Sequence, residues 1–345
     1  MRAGRWLALP AAALAAALAP VPVALVERVY SRGWYPVVQP IVTGASNLAA
    51  VAWLDALIVL ACAGLVWWAV RCGRRSGSRW RRAGRAALGV GQAAAVVYLA
   101  FLAAWGCNYR RLPAETRFGV DPDRISPRRL GTLAQHSIAS LNRLYGPAHA
   151  DAAIDPARLL PALQPAFAQA QSDLGAGWLA RPGRPKRSLV AHAFPLAAVD
   201  GMVNPLGLEV ILNPEVLPVE RPFVLAHEWA HLAGHAAESE ASFVAWLTCL
   251  RGSPALEYSG WFSLLHHVVR ALPATDRVAL LAQLEEGPRR DLHLVRERLR
   301  RVQPVVHDLS WQTYDRFLRA NRVEGGVRNY DEVLRLVLGS RLAGF

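Results

Sequence analysis

The hydrophobic pattern divides the chain into two unlike parts. Before residue 107 lie three long apolar runs, 6–26, 48–70 and 86–106, of 21, 23 and 21 residues. The first and third carry no charge, and the second carries only Asp55. At about 1.5 Å per residue, each is long enough to cross a hydrocarbon core of roughly 30 Å. Pro10, Pro20 and Pro22 interrupt the first run, and the basic start at 1–5 also fits a signal peptide. Pro20 and Pro22 sit badly around any A-x-A cleavage site, so a retained span is the expectation.

Beyond residue 111 the pattern becomes amphipathic. Ser126-Pro127 supplies a cap and first-turn pair for a helix over about 126–145, and a second helix is expected over 156–172. The Gly, Pro and basic residues of 175–187 predict a loop. Two short β-like runs follow, 188–194 and 207–213, around the turn signals Asp200-Gly201 and Asn204-Pro205. A helix then starts near Phe223, and another spans 236–250. The rest is amphipathic helix broken near Pro273, Gly287, Pro304 and Gly325-Gly326. The expected fold is an α-rich α+β protein. A bundle of about three transmembrane helices over 1–111 precedes a mostly helical domain over 112–345 with a small β-hairpin or edge strand.

Composition changes this picture in one respect. The chain is 53% hydrophobic and 19% charged, which excludes disorder. Its net charge of +13 suggests a nucleic-acid partner until it is mapped. Residues 1–111 hold 13 Arg against Glu27 and Asp55, which accounts for +11. Basic charge concentrated beside apolar runs is a membrane-topology signal, and nucleic acid drops out as a partner. Arg71, Arg74, Arg75, Arg79, Arg81, Arg82 and Arg85 crowd the loop between the second and third runs. The positive-inside rule puts that loop in the cytoplasm and everything after Cys107 outside it. The expected location is thus a bacterial cytoplasmic membrane, with the lipid bilayer as one partner.

Asp55 reads either as a polar contact to other helices or to the soluble domain, or, more simply, as a carboxylate reaching the headgroups. Cys62, Cys72, Cys107 and Cys249 form no CxxC pair, so neither a disulfide within the exported domain nor a cysteine metal site is indicated.

The chemistry is concentrated in His227-Glu228-Trp229-Ala230-His231, an HExxH on an expected helix. Residues four apart stand about 40° from each other around the axis, so both imidazoles can reach one metal ion. Two neutral imidazoles suit Zn²⁺, whose protein ligand set leaves one position open for water. Glu228 then serves as general base. Glu238 and Glu240 are two apart, hence about 200° apart on a helix, so only one of them can be the third ligand. Ala241, Ser242, Ala245 and Cys249 share the Glu238 face, and their small size allows close approach to the histidines. Glu238 is the favoured ligand, with Glu240 the alternative and a charge behind the ligands otherwise. Gly234 offers a left-handed helix end, which makes His235 a residue of the rim.

HEWAH followed by ESEAS resembles the Glu-zincin metallopeptidases, whose later helix supplies a ligand Glu from an E-x-x-A-D type motif. Glu238-Ser-Glu-Ala-Ser242 matches with Ser in the Asp position, and the six residues after His231 are fewer than many of those enzymes have. More of the chain is similar to an uncharacterised bacterial family of membrane-anchored, zincin-like proteins of unknown function. The matching blocks are Trp105-Gly-Cys-Asn-Tyr109, Gly201-Met-Val-Asn-Pro-Leu-Gly-Leu-Glu209, His227 to Glu240 with Ala241-Ser-Phe243, Tyr258-Ser-Gly260, Tyr314-Asp-Arg-Phe-Leu-Arg-Ala-Asn321 and Asn329-Tyr330. This resemblance implies the fold and a metal site but supplies no substrate.

The expected activity is zinc-dependent hydrolysis of a peptide or protein in the cell envelope, with the run 207–213 pairing substrate backbone at a sheet edge. The alternative is a catalytically silent metal-binding sensor or assembly protein. Tyr258 and Tyr330 are the candidate transition-state stabilisers, although a buried Tyr bonding a backbone carbonyl explains them equally well. His266, His267 and Arg328 are weaker candidates, and His266-His267 reads first as packing or surface. The Arg-rich stretch 289–301 reads as a solvated, partly ion-paired face.

Overall fold

The computed structural model describes residues 2–74, 78–321 and 332–342. The chain is mostly helical, with one small sheet. Helix α1, Arg2–Leu18, does not continue as the single span expected over 6–26. Pro20 and Pro22 break it, because neither can donate the backbone N–H that an α-helix needs. The chain then turns by 109° into a second helical stretch, Val23–Ser46, which begins with π-type turns over Val26–Trp34 and ends as α2, Tyr35–Ser46.

This second stretch lies against the later part of the protein. Tyr35, Gln39, Thr43 and Ser46 form a buried polar row at helical spacing. The Tyr35 hydroxyl donates to the Leu232 carbonyl (2.8 Å), and the Thr43 hydroxyl donates to that of Leu208 (2.8 Å). Gln39 exchanges two hydrogen bonds with the backbone of Arg181. Residues from this stretch therefore join the main core, with Val26, Tyr30 and Tyr35 beside Trp229 and Leu232.

Helices α3, Trp53–Gly73, and α4, Arg79–Ala104, are long and apolar enough to cross a membrane, and the bent pair adds a third span if taken as one. No residue of α3 is buried against protein, as a lipid-facing helix requires. Its first turn is locked to the sheet in both directions. The buried Glu209 carboxylate accepts the backbone N–H groups of Trp53 (2.9 Å) and Leu54 (2.8 Å), two donors that a helix start leaves without partners. In return Asp55 accepts the Ser188 hydroxyl (2.6 Å) and the Leu189 N–H (2.9 Å). Asp55 is thus a contact to the domain, and the headgroup reading gives way.

Helices α5, Pro127–Ala150, and α6, Pro156–Asp173, appear as expected, each capped by the side chain just before its first-turn proline. The sheet has strands β1, Pro185–Lys186, β2, Gly201–Asn204, and β3, Glu209–Leu212, in the order β1-β3-β2. The hairpin β2–β3 is antiparallel, and β1 runs parallel to β3. Strand β1 falls inside the basic stretch read as loop, whereas the expected strand at 188–194 is a tight turn followed by a short helix, Phe194–Ala197. Two contacts account for the shift. Lys186 is buried, its ammonium donating to the Ser46 and Ala49 carbonyls at the end of α2. Two residues beyond the strand, Asp55 holds the chain at Ser188 and Leu189 and turns it. Strand β3 lies at the centre of the sheet, so it has no free edge. The outer strand of the hairpin is β2.

The remaining helices are α7, Arg221–Leu232, α8, Glu238–Leu250, α9, Pro254–Ala271, α10, Ala274–Leu281, α11, Glu286–Leu299, α12, Pro304–Ala320, and α13, Val333–Gly339. Every residue of α8 except Leu250 is buried, because α6, α7, α9 and α13 surround it. Phe243, Val244 and Leu247 of α8 are fully buried, at about 1.5–3 kcal/mol of burial each. The Arg-rich stretch forms α11. Its Arg300 and Arg301 are exposed, but Arg298 is sequestered between Asp200 and Glu220, at 2.8 Å from each. These two ion pairs tie α11 to the loop before β2 and to the start of α7.

Candidate metal centre

The site is built where α7 crosses α8. Helix α7 ends at Leu232, and Gly234 takes φ 84°, a left-handed turn that few side chains tolerate. The turn reverses the chain quickly enough for α8 to begin at Glu238 and lie directly on α7. His227 and His231 present neighbouring rings with centroids 4.7 Å apart. Glu238 Oε2 is 3.0 Å from His227 Nε2 and 3.7 Å from His231 Nε2. One ligand atom from each of these three residues lies within 4.8 Å of the others, a grouping that could hold a metal ion.

The far nitrogens are also occupied. His231 Nδ1 lies 2.7 Å from the carbonyl of His235, to which it donates in the tautomer that leaves Nε2 free as a ligand. His227 Nδ1 lies 3.3 Å from the Ser242 hydroxyl. Two imidazoles oriented in this way, with one carboxylate, make a donor set that fits a metal ion. Burial disfavours a charged His231, but the hydrogen bond and charge of Glu238 outweigh it and push the imidazole up to about 9. Burial likewise opposes the Glu238 charge, and the two histidines overcome it, holding that carboxyl well below its ordinary range. The Glu238 charge therefore calls for a cation at the cluster, whether a proton or a metal.

Glu228 is buried beside the histidines, and its Oε2 has no hydrogen-bond partner among the described residues. Burial, with smaller contributions from Glu238 and Asp200, pushes its carboxyl up to about 8 against the opposing effect of His231. Gly201 of β2 packs on this carboxylate so closely that a Cβ there would come within 2.7 Å of Oε1. The outer strand therefore runs past the site at Glu228, and only glycine permits that approach.

Glu240 points away from the cluster. It pairs with Arg117, a residue of the short helix Ala114–Phe118, and its Oε2 lies 3.8 Å from His235 Nδ1. Burial raises the Glu240 carboxyl, but the Arg117 charge and His235 prevail and hold it at about 2. His235 is not a rim residue. It is buried between Arg117 and Phe118, and burial lowers its imidazole to about 4.

Of the tyrosine candidates, Tyr258 sits apart from the cluster. Its ring packs on Tyr145, His149 and Phe262, and its hydroxyl donates to Asp291 (2.7 Å), a carboxylate rather than the backbone carbonyl of the simpler reading. Tyr330 and Arg328 lie outside the described residues. His266 is exposed and His267 half-buried on α9, in keeping with a packing or surface role.

The hydroxyl that does reach the cluster belongs to Tyr314 of α12, which donates to Glu238 Oε1. Its sequence signal is the inward row His307, Trp311, Tyr314 and Leu318, spaced 4, 3 and 4 residues apart. Trp105, the first residue after α4, is also at the site. Its indole N–H donates to the His231 carbonyl (2.9 Å), and its ring stands 6.2 Å from that of His231. The cluster is enclosed, the side chains of His227, His231 and Glu238 being 14, 10 and 8% exposed.

Fold and site together define a mostly helical protein with membrane-length helices and a histidine–glutamate cluster on two crossed helices. Residues 30–338 match the family described as "Protein of unknown function (DUF3810)", and the chain belongs to that family. No curated protein and no solved structure matches it significantly.

Proposed function

We propose that this chain is a membrane-anchored zinc peptidase whose site lies on the extracytoplasmic side of a bacterial cytoplasmic membrane. The observation that carries the reading is the convergence of His227, His231 and Glu238 within 4.8 Å, with the Glu228 carboxylate buried beside them and its Oε2 unpartnered among the described residues. Two imidazoles and a carboxylate suit Zn²⁺. When bound, the ion supplies Lewis acidity to a water and to the substrate carbonyl.

The protein's own groups do the rest. Glu228 takes a proton from the water as its oxygen joins the carbonyl carbon, then delivers that proton to the amide nitrogen as the C–N bond breaks. A carboxyl at about 8 is a poor base at neutral pH, but a divalent cation at the cluster lowers it by direct attraction. The outer edge of β2 aligns an extended substrate by backbone pairing, because β2 and not β3 is the outer strand of the hairpin. Tyr314 takes the stabilising role for which Tyr258 is misplaced. Once it swings off Glu238, its hydroxyl can donate to the developing oxyanion.

One observation favours the alternative of a silent metal-binding sensor or assembly protein, namely the tight enclosure of the cluster under Tyr314. Two variants of the detergent-purified chain separate the readings. His227→Ala should abolish near-stoichiometric zinc, whereas Glu228→Gln should keep zinc and lose hydrolysis of envelope peptides by roughly 10²–10⁴-fold. If a cellular phenotype survives Glu228→Gln, the silent reading replaces the peptidase.

A further inference from the structure

We propose that α12 is an interfacial helix, seated with its apolar flank in the surface of the same bilayer that α3 and α4 cross. The proposal rests on reading those two helices as membrane spans. At 100° per residue, the α12 side chains fall into three sectors. His307, Tyr314 and Leu318 face inward, and Leu318 is buried. Asp308, Gln312, Asp315 and Arg319 form a polar flank. Val305, Val306, Leu309 and Phe317 lie within an arc of about 120°. They are 80, 36, 65 and 37% exposed, a density of open apolar surface unusual on a soluble helix.

What covers this flank follows from where the helix is tied at each end. At its start, Gln303 donates its N–H to the Leu196 carbonyl (2.9 Å) at the end of the short helix Phe194–Ala197. Phe194 of that helix packs with Ala52 and Leu54 at the first turn of α3. At the other end, Phe317 stands 5.9 Å from Phe101, which lies in the last turn of α4, and 5.9 Å from Tyr109 just beyond it. The connection between α3 and α4 is short, so these two helix ends lie on the same side of the membrane. Val305 and Phe317 are 12 residues apart, which spans about 18 Å between the two span ends. Phe317, the residue that touches α4, belongs to the apolar flank, so this flank and not the polar one is turned towards the spans. Leu189 and Leu196, 74 and 38% exposed, extend the apolar surface along the segment tied to α3. Arg316 is the one charge in the apolar sector, near the C-terminal end, where its long stem lets the guanidinium reach headgroup phosphates.

The test places a fluorophore at single cysteines of the full-length chain in lipid nanodiscs, with the unused residues among Cys62, Cys72 and Cys107 changed to Ser and the buried Cys249 retained. Quenching by lipids carrying a nitroxide near the headgroup or deep in the acyl chain reports depth. Native Cys62, in the middle of α3, is the reference for the spans. Probes at Leu309→Cys and Val305→Cys should be quenched by the shallow nitroxide at least about twofold more than one at Asp308→Cys on the polar flank. Equal, weak quenching at 305, 308 and 309 while Cys62 is quenched by the deep nitroxide overturns the proposal and leaves the spans intact. Blue-shifted emission at 309 without lipid quenching also overturns it, since the flank would then be covered by protein. A Cys62 probe that no lipid quenches removes the premise along with the proposal.

Discussion

Replacing Tyr35 by Phe deletes one hydroxyl and leaves the Leu232 carbonyl buried without the donor that now reaches it. That carbonyl lies in the last turn of α7, where no helical N–H is available to it. The ring itself stays packed, stacked on Tyr30 (5.7 Å) and edge-on to Trp178 (5.7 Å), so the change isolates the hydrogen bond from the packing. A buried acceptor deprived of its donor costs about 1–3 kcal/mol. At roughly 2–4 °C per kcal/mol, the melting temperature should fall by about 2–12 °C. Thermal unfolding of the full chain in one detergent, wild type beside Tyr35→Phe, reads this directly. If the proposed zinc is bound, chelation supplies a second readout, because the weakened turn carries His231 and the variant should release the ion more readily. A melting temperature within about 1 °C of wild type would refute the claim that the N-terminal helices cap the helix bearing His227 and His231.

Three further outcomes follow from the geometry. Glu238→Gln should lower zinc affinity far more than Glu240→Gln in a competition titration; equal losses would mean that both carboxylates bind. Arg117→Met strands the buried Glu240 charge and should destabilise by about 3–5 kcal/mol at neutral pH. Because the folded Glu240 carboxyl sits at about 2, below its ordinary value, its stabilising contribution is present above that ordinary value and is lost as pH falls towards 2. The Arg117→Met deficit should therefore shrink in acid, and a deficit independent of pH would assign the effect to packing alone. Glu209→Gln weakens a carboxylate that accepts the Trp53 and Leu54 N–H groups and should cost about 1.5–3 kcal/mol in denaturant unfolding; no loss would show that the cap on α3 is dispensable.

Much of the site was legible because its ligands are local in sequence. The four-residue spacing of His227 and His231, and the small residues flanking Glu238, are properties of single helices, and periodicity reveals those. What was not legible depends on distant segments. Arg117 claims Glu240, Tyr314 reaches Glu238, and Trp105 binds the end of α7, across 123, 76 and 126 residues respectively. No pattern within a window of the chain encodes such pairings. Lys186 misled for a related reason: among arginines, glycines and prolines it read as loop, yet its ammonium closes the end of α2. Residues 27–47 carried a readable signal that apolar counting passed over, since Tyr35, Gln39, Thr43 and Ser46 repeat at helical spacing.

Trp105 and Tyr35 have a consequence for how this protein can be cut or inherited. Both belong to the membrane-side part of the chain, and both hold carbonyls at the end of the helix that bears His227 and His231. A soluble fragment beginning near residue 112 would lose both donors and expose the apolar surface now covered by Val26, Tyr35, Leu102 and Trp105. Proteolytic cleavage there should therefore unfold the remainder instead of releasing it intact. The N-terminal helices and the later part of the chain share one core, and a fusion that swaps in another protein's membrane helices should lose the His227–His231–Glu238 arrangement.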